Sequence, residues 1–96
     1  MSKLKTTPGS GNVFADLGFP PEEASLLQMR ADLMNELRLT IEGRGWTQAV
    51  AARELGISQS RVSDLVRGKW QHFSLDMLVT LAVRAGRQVH IELQAA

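Results

Sequence analysis

Cysteine is absent from this 96-residue chain. That absence excludes disulfides and thiolate metal sites, and it fits a reducing cytoplasm. Long apolar runs are also missing, so we expect neither a signal peptide nor a membrane span. No pattern of an activated nucleophile, a glycine-rich phosphate loop or a cluster of metal ligands stands out. We therefore expect no enzyme activity and no cofactor.

A strong net charge is lacking as well, since the formal value is only +1. The charges are nevertheless placed unevenly along the chain. Residues 12–43 hold six acidic and two basic side chains, a net charge of −4, whereas residues 44–72 hold five basic and two acidic ones, a net charge of +3. This asymmetry fits a local anion-binding surface, although scatter in a small chain explains it equally well.

The N-terminal half begins with a segment of low complexity and continues into one long helix. Residues 1–12 are rich in Gly, Ser, Thr and Pro, which predicts a flexible tail before a single domain at 13–96. Residues 13–19 are short and apolar, so we expect an ordered lead-in. A long amphipathic helix then starts at Pro21 and ends at Gly43 or Gly45. Its apolar stripe is formed by Leu26, Leu27, Met29, Leu33, Met34, Leu37 and Ile41.

Three shorter helices follow, each preceded by a Ser or Thr that suits an N-cap. Thr47, Ser58 and Ser74 are these caps, and Gly56, Gly68 and Gly86 follow the predicted helix ends. The side chains expected to face the core are Val50, Ala51, Leu55, Ile57, Val62, Leu65, Val66, Leu75, Leu78, Val79, Ala82 and Ala85.

The C-terminal segment 88–93 changes the period of the pattern. Val89, Ile91 and Leu93 alternate with polar residues, as in a half-buried strand. The rest of the chain offers no second clear strand, so we predict that this one pairs antiparallel with a second copy and closes a two-fold dimer. The alternative is a strand-like tail that drapes over the core.

Two short helices joined by a glycine-containing turn, at residues 47–69, form a helix-turn-helix arrangement. The second helix of such a motif enters the major groove with its N-terminal residues at base edges. Gln, Arg, Ser and Asp are side chains that can bond those edges, and they occur here at Gln59, Ser60, Arg61, Ser63 and Asp64. A plain helical hairpin is the alternative, but caps, turn, apolar positions and outer face all agree on DNA binding.

The stretch TQAVAARELGISQSRVSDLVRGK resembles the helix-turn-helix of the phage-repressor-like family, also called the Xre or Cro/CI family. The shared features are the T-Q start, small residues at Ala51 and Ala52, the LGIS turn and the closing R-G-K. The flanking segments GNVFADLGF and FSLDMLVTLAVRAGRQVHIEL resemble those of HigA-type antitoxins. The resemblance covers about residues 11–93.

The resemblance implies an all-α, four-to-five-helix lambda-repressor-like domain that acts in the cytoplasm as a dimer on a palindromic operator. It also implies autorepression of a toxin-antitoxin operon and neutralisation of a RelE/HigB-like toxin. The alternatives are an antitoxin that acts mainly by masking the toxin and a solitary phage-type repressor.

Two sets of DNA contacts follow from the same resemblance. Gln59, Ser60 and Ser63 fall where the family reads bases, and Gln48 would bond a phosphate and brace Gln59. Arg61 and Asp64 either read bases as well or hold each other, since they lie three residues apart on one helix. The residues expected to contact phosphates are Thr47, Gln48, Arg53, Ser58, Arg67, Lys69 and Ser74.

Overall fold

A computed structural model describes residues 2–4 and 12–95. Within these ranges the chain is mostly helical and ends in a strand, as predicted. In chain order the elements are β1 Ser2–Leu4, α1 Val13–Asp16, α2 Pro21–Gly43, α3 Gln48–Leu55, α4 Gln59–Val66, a 3-10 turn at Trp70–His72, α5 Leu75–Arg84 and β2 Val89–Ile91. None of the helices in the described part has the length and apolar character needed to cross a membrane.

Helix α2 is the longest element and begins at Pro21, as its sequence predicts. The acidic side chains Glu22 and Glu23 lie in its first turn, where the positive end of the helix dipole favours them. Most of the predicted stripe is buried, but Leu26 is 45% exposed. Leu27, which is part of the predicted stripe, and Ala24, which is not, are both buried there, and neighbouring helical positions differ by about 100° around the axis. The first turns of α2 therefore present Leu26 to solvent.

The core lies between α2 and the three shorter helices. The predicted inward positions Ala51, Leu55, Val62, Leu65 and Leu78 are fully buried, whereas Val50, Ile57, Val66, Leu75 and Val79 are half-buried. An additional anchor comes from the loop after α4, where Phe73 is only 1% exposed. Burial of such a ring contributes on the order of 1.5–3 kcal/mol. The loop that follows the second helix of the motif is thus fixed to the core.

The C-terminal strand has a partner that the sequence did not indicate. Strand β1 pairs in parallel with β2, with Ser2 opposite Val89 and Leu4 opposite Ile91. The expectation that β2 has no partner within its own subunit is therefore wrong, because a three-residue strand in a Gly/Ser/Thr-rich segment carries too little pattern to be recognised. Residues 5–11 of the predicted flexible tail lie outside the described residues.

The apolar alternation of β2 is only partly buried in the subunit. Val89 packs against the core cluster, but Ile91 is 52% and Leu93 is 93% exposed. The core of the subunit therefore covers Val89 but leaves the side chains of Ile91 and Leu93 exposed to solvent.

Candidate nucleic-acid interface

The helix-turn-helix is built by the caps that the sequence predicts. Thr47 accepts a hydrogen bond from the backbone N–H of Val50 at 3.2 Å, which begins α3. Gly56 ends it in the left-handed conformation at φ 69°, a backbone geometry that costs glycine little. Ser58 then accepts from the N–H of Arg61 at 3.2 Å and begins α4. A new helix N-terminus is thereby presented only three residues after the previous helix ends.

Helix α4 separates an apolar inner face from a polar outer one. Val62 and Leu65 are completely buried, whereas Gln59 and Ser60 are exposed and Ser63 is half-buried. The amide of Gln59 forms no hydrogen bond with the described residues, and the Ser60 hydroxyl lies 3.1 Å from that of Ser58. The first turn of α4 can therefore offer both donors and acceptors to a ligand.

Arg61 does not pair with Asp64, although their spacing would allow it. Its Nη1 donates to the backbone carbonyl of His72 at 3.0 Å, and its guanidinium carbon lies 4.3 Å from the centre of the Phe73 ring. Arg61 thus covers the ring that anchors the loop, and it joins α4 to that loop.

Asp64 is engaged by the same loop. Its Oδ2 accepts a hydrogen bond from Nδ1 of His72 at 3.2 Å, and its Oδ1 lies 3.8 Å from Nζ of Lys69. The His72 hydrogen bond is the main reason that the pKa of Asp64 is held below its usual value. Partial burial opposes this lowering, and the charges of His72, Lys69 and Arg61 reinforce it. The carboxylate is therefore ionised and has partners on both oxygens before any DNA is bound.

The far side of this loop is held by α2 and α1. Arg30 donates from Nε to the carbonyl of Phe73 and from Nη2 to that of Trp70, both at 3.0 Å, and its guanidinium stacks on the Trp70 ring. Phe14 meets Trp70 edge to face at 5.5 Å. Sequence reasoning missed Arg30, because an arginine outside the apolar stripe of a helix usually indicates only a solvated face. Its position within one turn of buried Leu27 and Leu33 was the only available signal.

The turn between α3 and α4 also has a support from outside the motif. Nη1 of Arg84, in the last turn of α5, donates to the carbonyl of Leu55 at 3.0 Å. That carbonyl is in the last turn of α3, where carbonyl groups lack helical partners. The guanidinium also lies against Gly56, because a Cβ built there would be 3.3 Å from Nη1. Arg84 therefore fixes the point at which the chain changes direction.

All seven residues expected to contact phosphates are exposed. Three of them, Thr47, Ser58 and Ser74, are N-caps whose oxygen accepts a backbone N–H, so the hydroxyl hydrogen takes no part in the cap. Nη2 of Arg53 lies 4.0 Å from Oε1 of Glu54, and the side chain of Arg67 has no hydrogen-bond or ion-pair partner among the described residues. No hydrogen bond joins Gln48 to Gln59 in the described part of the chain.

Comparison with known proteins places this geometry in context. A family model described as a helix-turn-helix domain matches residues 13–94. A solved structure described as an XRE-family transcriptional regulator is similar with a TM-score of 0.71 and 32% sequence identity, over 77% of this chain and 83% of that chain. No match was found among curated proteins.

Proposed function

We propose, from the premise that this chain belongs to the XRE family of helix-turn-helix transcriptional regulators, that it binds a palindromic operator as a homodimer and represses its own gene. The family is one of DNA-binding regulators, not of enzymes.

The observation that carries the proposal is the first turn of α4. Gln59 and Ser60 are exposed directly after the Ser58 cap, on a helix whose opposite face is fully buried. A glutamine amide can bond an adenine edge in two places, and a serine hydroxyl can bond any base. We propose that Gln59, Ser60 and Ser63 read bases. Arg61 and Asp64 hold the loop at Lys69–Phe73. Either side chain would have to give up its contacts with this loop before it could bond a base.

Base readers and phosphate binders are distinguished by comparing two variants on two kinds of DNA. Gln59→Ala should lower affinity for the operator by about 1–3 kcal/mol and leave affinity for random duplex unchanged. Arg67→Ala should weaken binding to both and reduce the slope of log K against log salt by about 1. The operator itself is obtained by selecting bound genomic fragments. Equal losses on operator and random DNA for both variants would show that α4 is not the reading helix.

A HigA-type antitoxin role is the second part of the proposal. Four apolar side chains are exposed near α1 and the start of α2, at Val13, Leu17, Phe19 and Leu26. The acidic residues Asp16, Glu22 and Glu23 lie within the same segment and are exposed. Apolar residues with acidic neighbours fit a basic protein partner, and a RelE/HigB-like ribonuclease toxin has that character.

The antitoxin proposal is tested with the product of the neighbouring reading frame, if that frame encodes a small basic protein. Leu17→Asp should abolish co-purification of the two proteins. Leu39→Asp provides the matched control, because Leu39 is also exposed, at 50%, but lies toward the other end of α2. Co-purification that survives Leu17→Asp and is lost with Leu39→Asp would place the contact elsewhere. Lack of any such neighbour would favour a solitary repressor.

A further inference from the structure

The loop after α4 holds a histidine at a position where DNA contacts are expected on both sides. His72 lies between Lys69 and Ser74, two of the proposed phosphate contacts, in the 3-10 turn Trp70–His72. Its Nδ1 bonds the carboxylate of Asp64 on α4 at 3.2 Å, and half of its side chain is exposed. The imidazole is thus attached directly to the proposed reading helix.

The geometry gives the two ring nitrogens different roles. With Nδ1–H donated to a carboxylate, a neutral imidazole has no proton on Nε2 and can only accept there. In the protonated form both nitrogens donate, and the carboxylate balances the added charge. Only the protonated form can therefore bond an anion through Nε2 while it keeps the contact with Asp64.

The charged groups around His72 favour an anion at this place. Among the described residues, Asp64 is the one acidic side chain that contacts it. Lys69 lies 3.8 Å from that carboxylate, Arg61 bonds the His72 carbonyl, and Arg30 bonds the carbonyls of Trp70 and Phe73. Three cations and one carboxylate give the cluster a positive charge before His72 is protonated. A phosphate brought here would add the negative charge that favours the imidazolium.

We infer that Nε2 of protonated His72 donates a hydrogen bond to a DNA phosphate, with Asp64 as its positioning residue, so that the complex binds a proton more tightly than the free protein does. This inference rests on the proposed DNA binding. Affinity measured between about pH 8 and pH 5 should therefore rise as the pH falls, because acid favours the imidazolium. The total rise should be about tenfold, which is the change expected when the complex binds this proton about ten times more tightly than the free protein does.

The experiment measures affinity for a mixed-sequence B-form duplex by fluorescence anisotropy across this pH range at constant salt. Wild-type protein should bind more tightly at the acidic end. His72→Gln should remove the pH dependence, and His72→Arg, which carries a permanent charge, should bind tightly at every pH. His90→Gln is the matched control, because His90 is the other histidine, is exposed on β2, and should leave the pH profile unchanged.

Asp64→Asn tests the positioning role separately. It keeps an oxygen that can accept from Nδ1 but removes the charge, so the rise in affinity should move to lower pH rather than disappear. At acidic pH, wild type should also show a salt slope steeper than His72→Gln by about 0.9, the value for one neutralised phosphate.

The outcomes separate this inference from the proposed function. If the duplex is not bound at any pH, DNA binding itself is refuted. If wild type and His72→Gln bind with the same pH profile, the protein is a DNA binder but His72 is not a phosphate contact. Loss of the pH dependence of DNA affinity in His90→Gln would also overturn the inference.

Discussion

At the scale of single residues, arginine is the side chain that joins distant parts of this small domain. Arg30, Arg44, Arg61 and Arg84 each donate to backbone carbonyls of another element, at separations of up to 43 residues along the chain. The guanidinium suits this role because it carries five donors in a fixed fork and never loses its charge. Two of the carbonyls, at Leu55 and Ala85, belong to helix ends that lack internal partners.

The strongest of these links is expected at Arg30, which bonds two carbonyls of the loop after α4. Arg30→Lys should reduce the free energy of unfolding by about 1–3 kcal/mol, because a single ammonium cannot reproduce the two hydrogen bonds that the charged guanidinium fork donates to carbonyl groups. Arg38→Lys is the control on the same helix, where the arginine bonds only Asn35 at an exposed site. It should change stability by less than about 0.5 kcal/mol. Urea unfolding measures both, and equal effects would contradict the role given to Arg30.

Asp64 makes a contribution to stability that depends on pH. Its pKa is lowered in the folded protein from the ordinary value of 3.8. The folded state therefore favours the ionised carboxylate, and this stabilisation is complete above pH 3.8 and lost as the pH falls through the lowered folded value. Asp64→Asn should be less stable than wild type at neutral pH and equal to it in strong acid, where the two side chains are both neutral. A stability difference that stays constant over the whole pH range would refute this account.

At the scale of elements, the sequence predicts what local chemistry determines. The hydroxyl caps at Thr47, Ser58 and Ser74 are confirmed, because each hydroxyl oxygen accepts a hydrogen bond from the backbone N–H three residues later. Such caps can be predicted because they need only neighbours along the chain. The β1–β2 pair was not predictable, since it joins segments more than 80 residues apart and contains three residues on each side. The partners of Arg61 and Asp64 were missed for the same reason, because they depend on where the loop at Lys69–Phe73 is held.

The turn of the motif gives a test of backbone conformation at this scale. Gly56→Ala should destabilise the protein by about 1–2 kcal/mol, because alanine is strained in the left-handed region that Gly56 adopts at φ 69°. The new Cβ would also press on the Arg84 guanidinium. Gly43→Ala is a control of opposite sign. Gly43 is the last residue of α2, and a Cβ built there has no neighbour within 4 Å. The alanine variant should therefore increase the free energy of unfolding by about 0.5–1 kcal/mol. If thermal unfolding showed that both variants are destabilised, the left-handed conformation of Gly56 would not be the cause of the destabilisation by Gly56→Ala.

At the scale of the whole molecule, β1 and β2 form a two-stranded sheet, so that each strand has one outer edge. A strand in a two-stranded sheet has one edge without hydrogen-bond partners, and β2 is paired with β1 on its other edge. Ile91, the last residue of β2, and Leu93, two residues beyond it, expose their apolar side chains. Antiparallel pairing of β2 with its copy would bond that edge and cover these side chains. In the dimer proposed from the sequence, the two subunits would then share a four-stranded sheet in the order β1, β2, β2, β1.

Charge placed at Ile91 and Leu93 should prevent the assembly without unfolding the domain, because neither side chain belongs to the buried core. The double variant Ile91→Lys, Leu93→Lys should sediment as a monomer at micromolar concentration, whereas wild type should sediment as a dimer. Leu17→Lys is the control, since Leu17 is 70% exposed but lies next to α1. The monomer should also lose most of its operator affinity, because a dimer places two reading helices about 34 Å apart to contact both half-sites at once. Monomeric wild-type protein, or a double variant that still dimerises, would show that β2 does not form the interface.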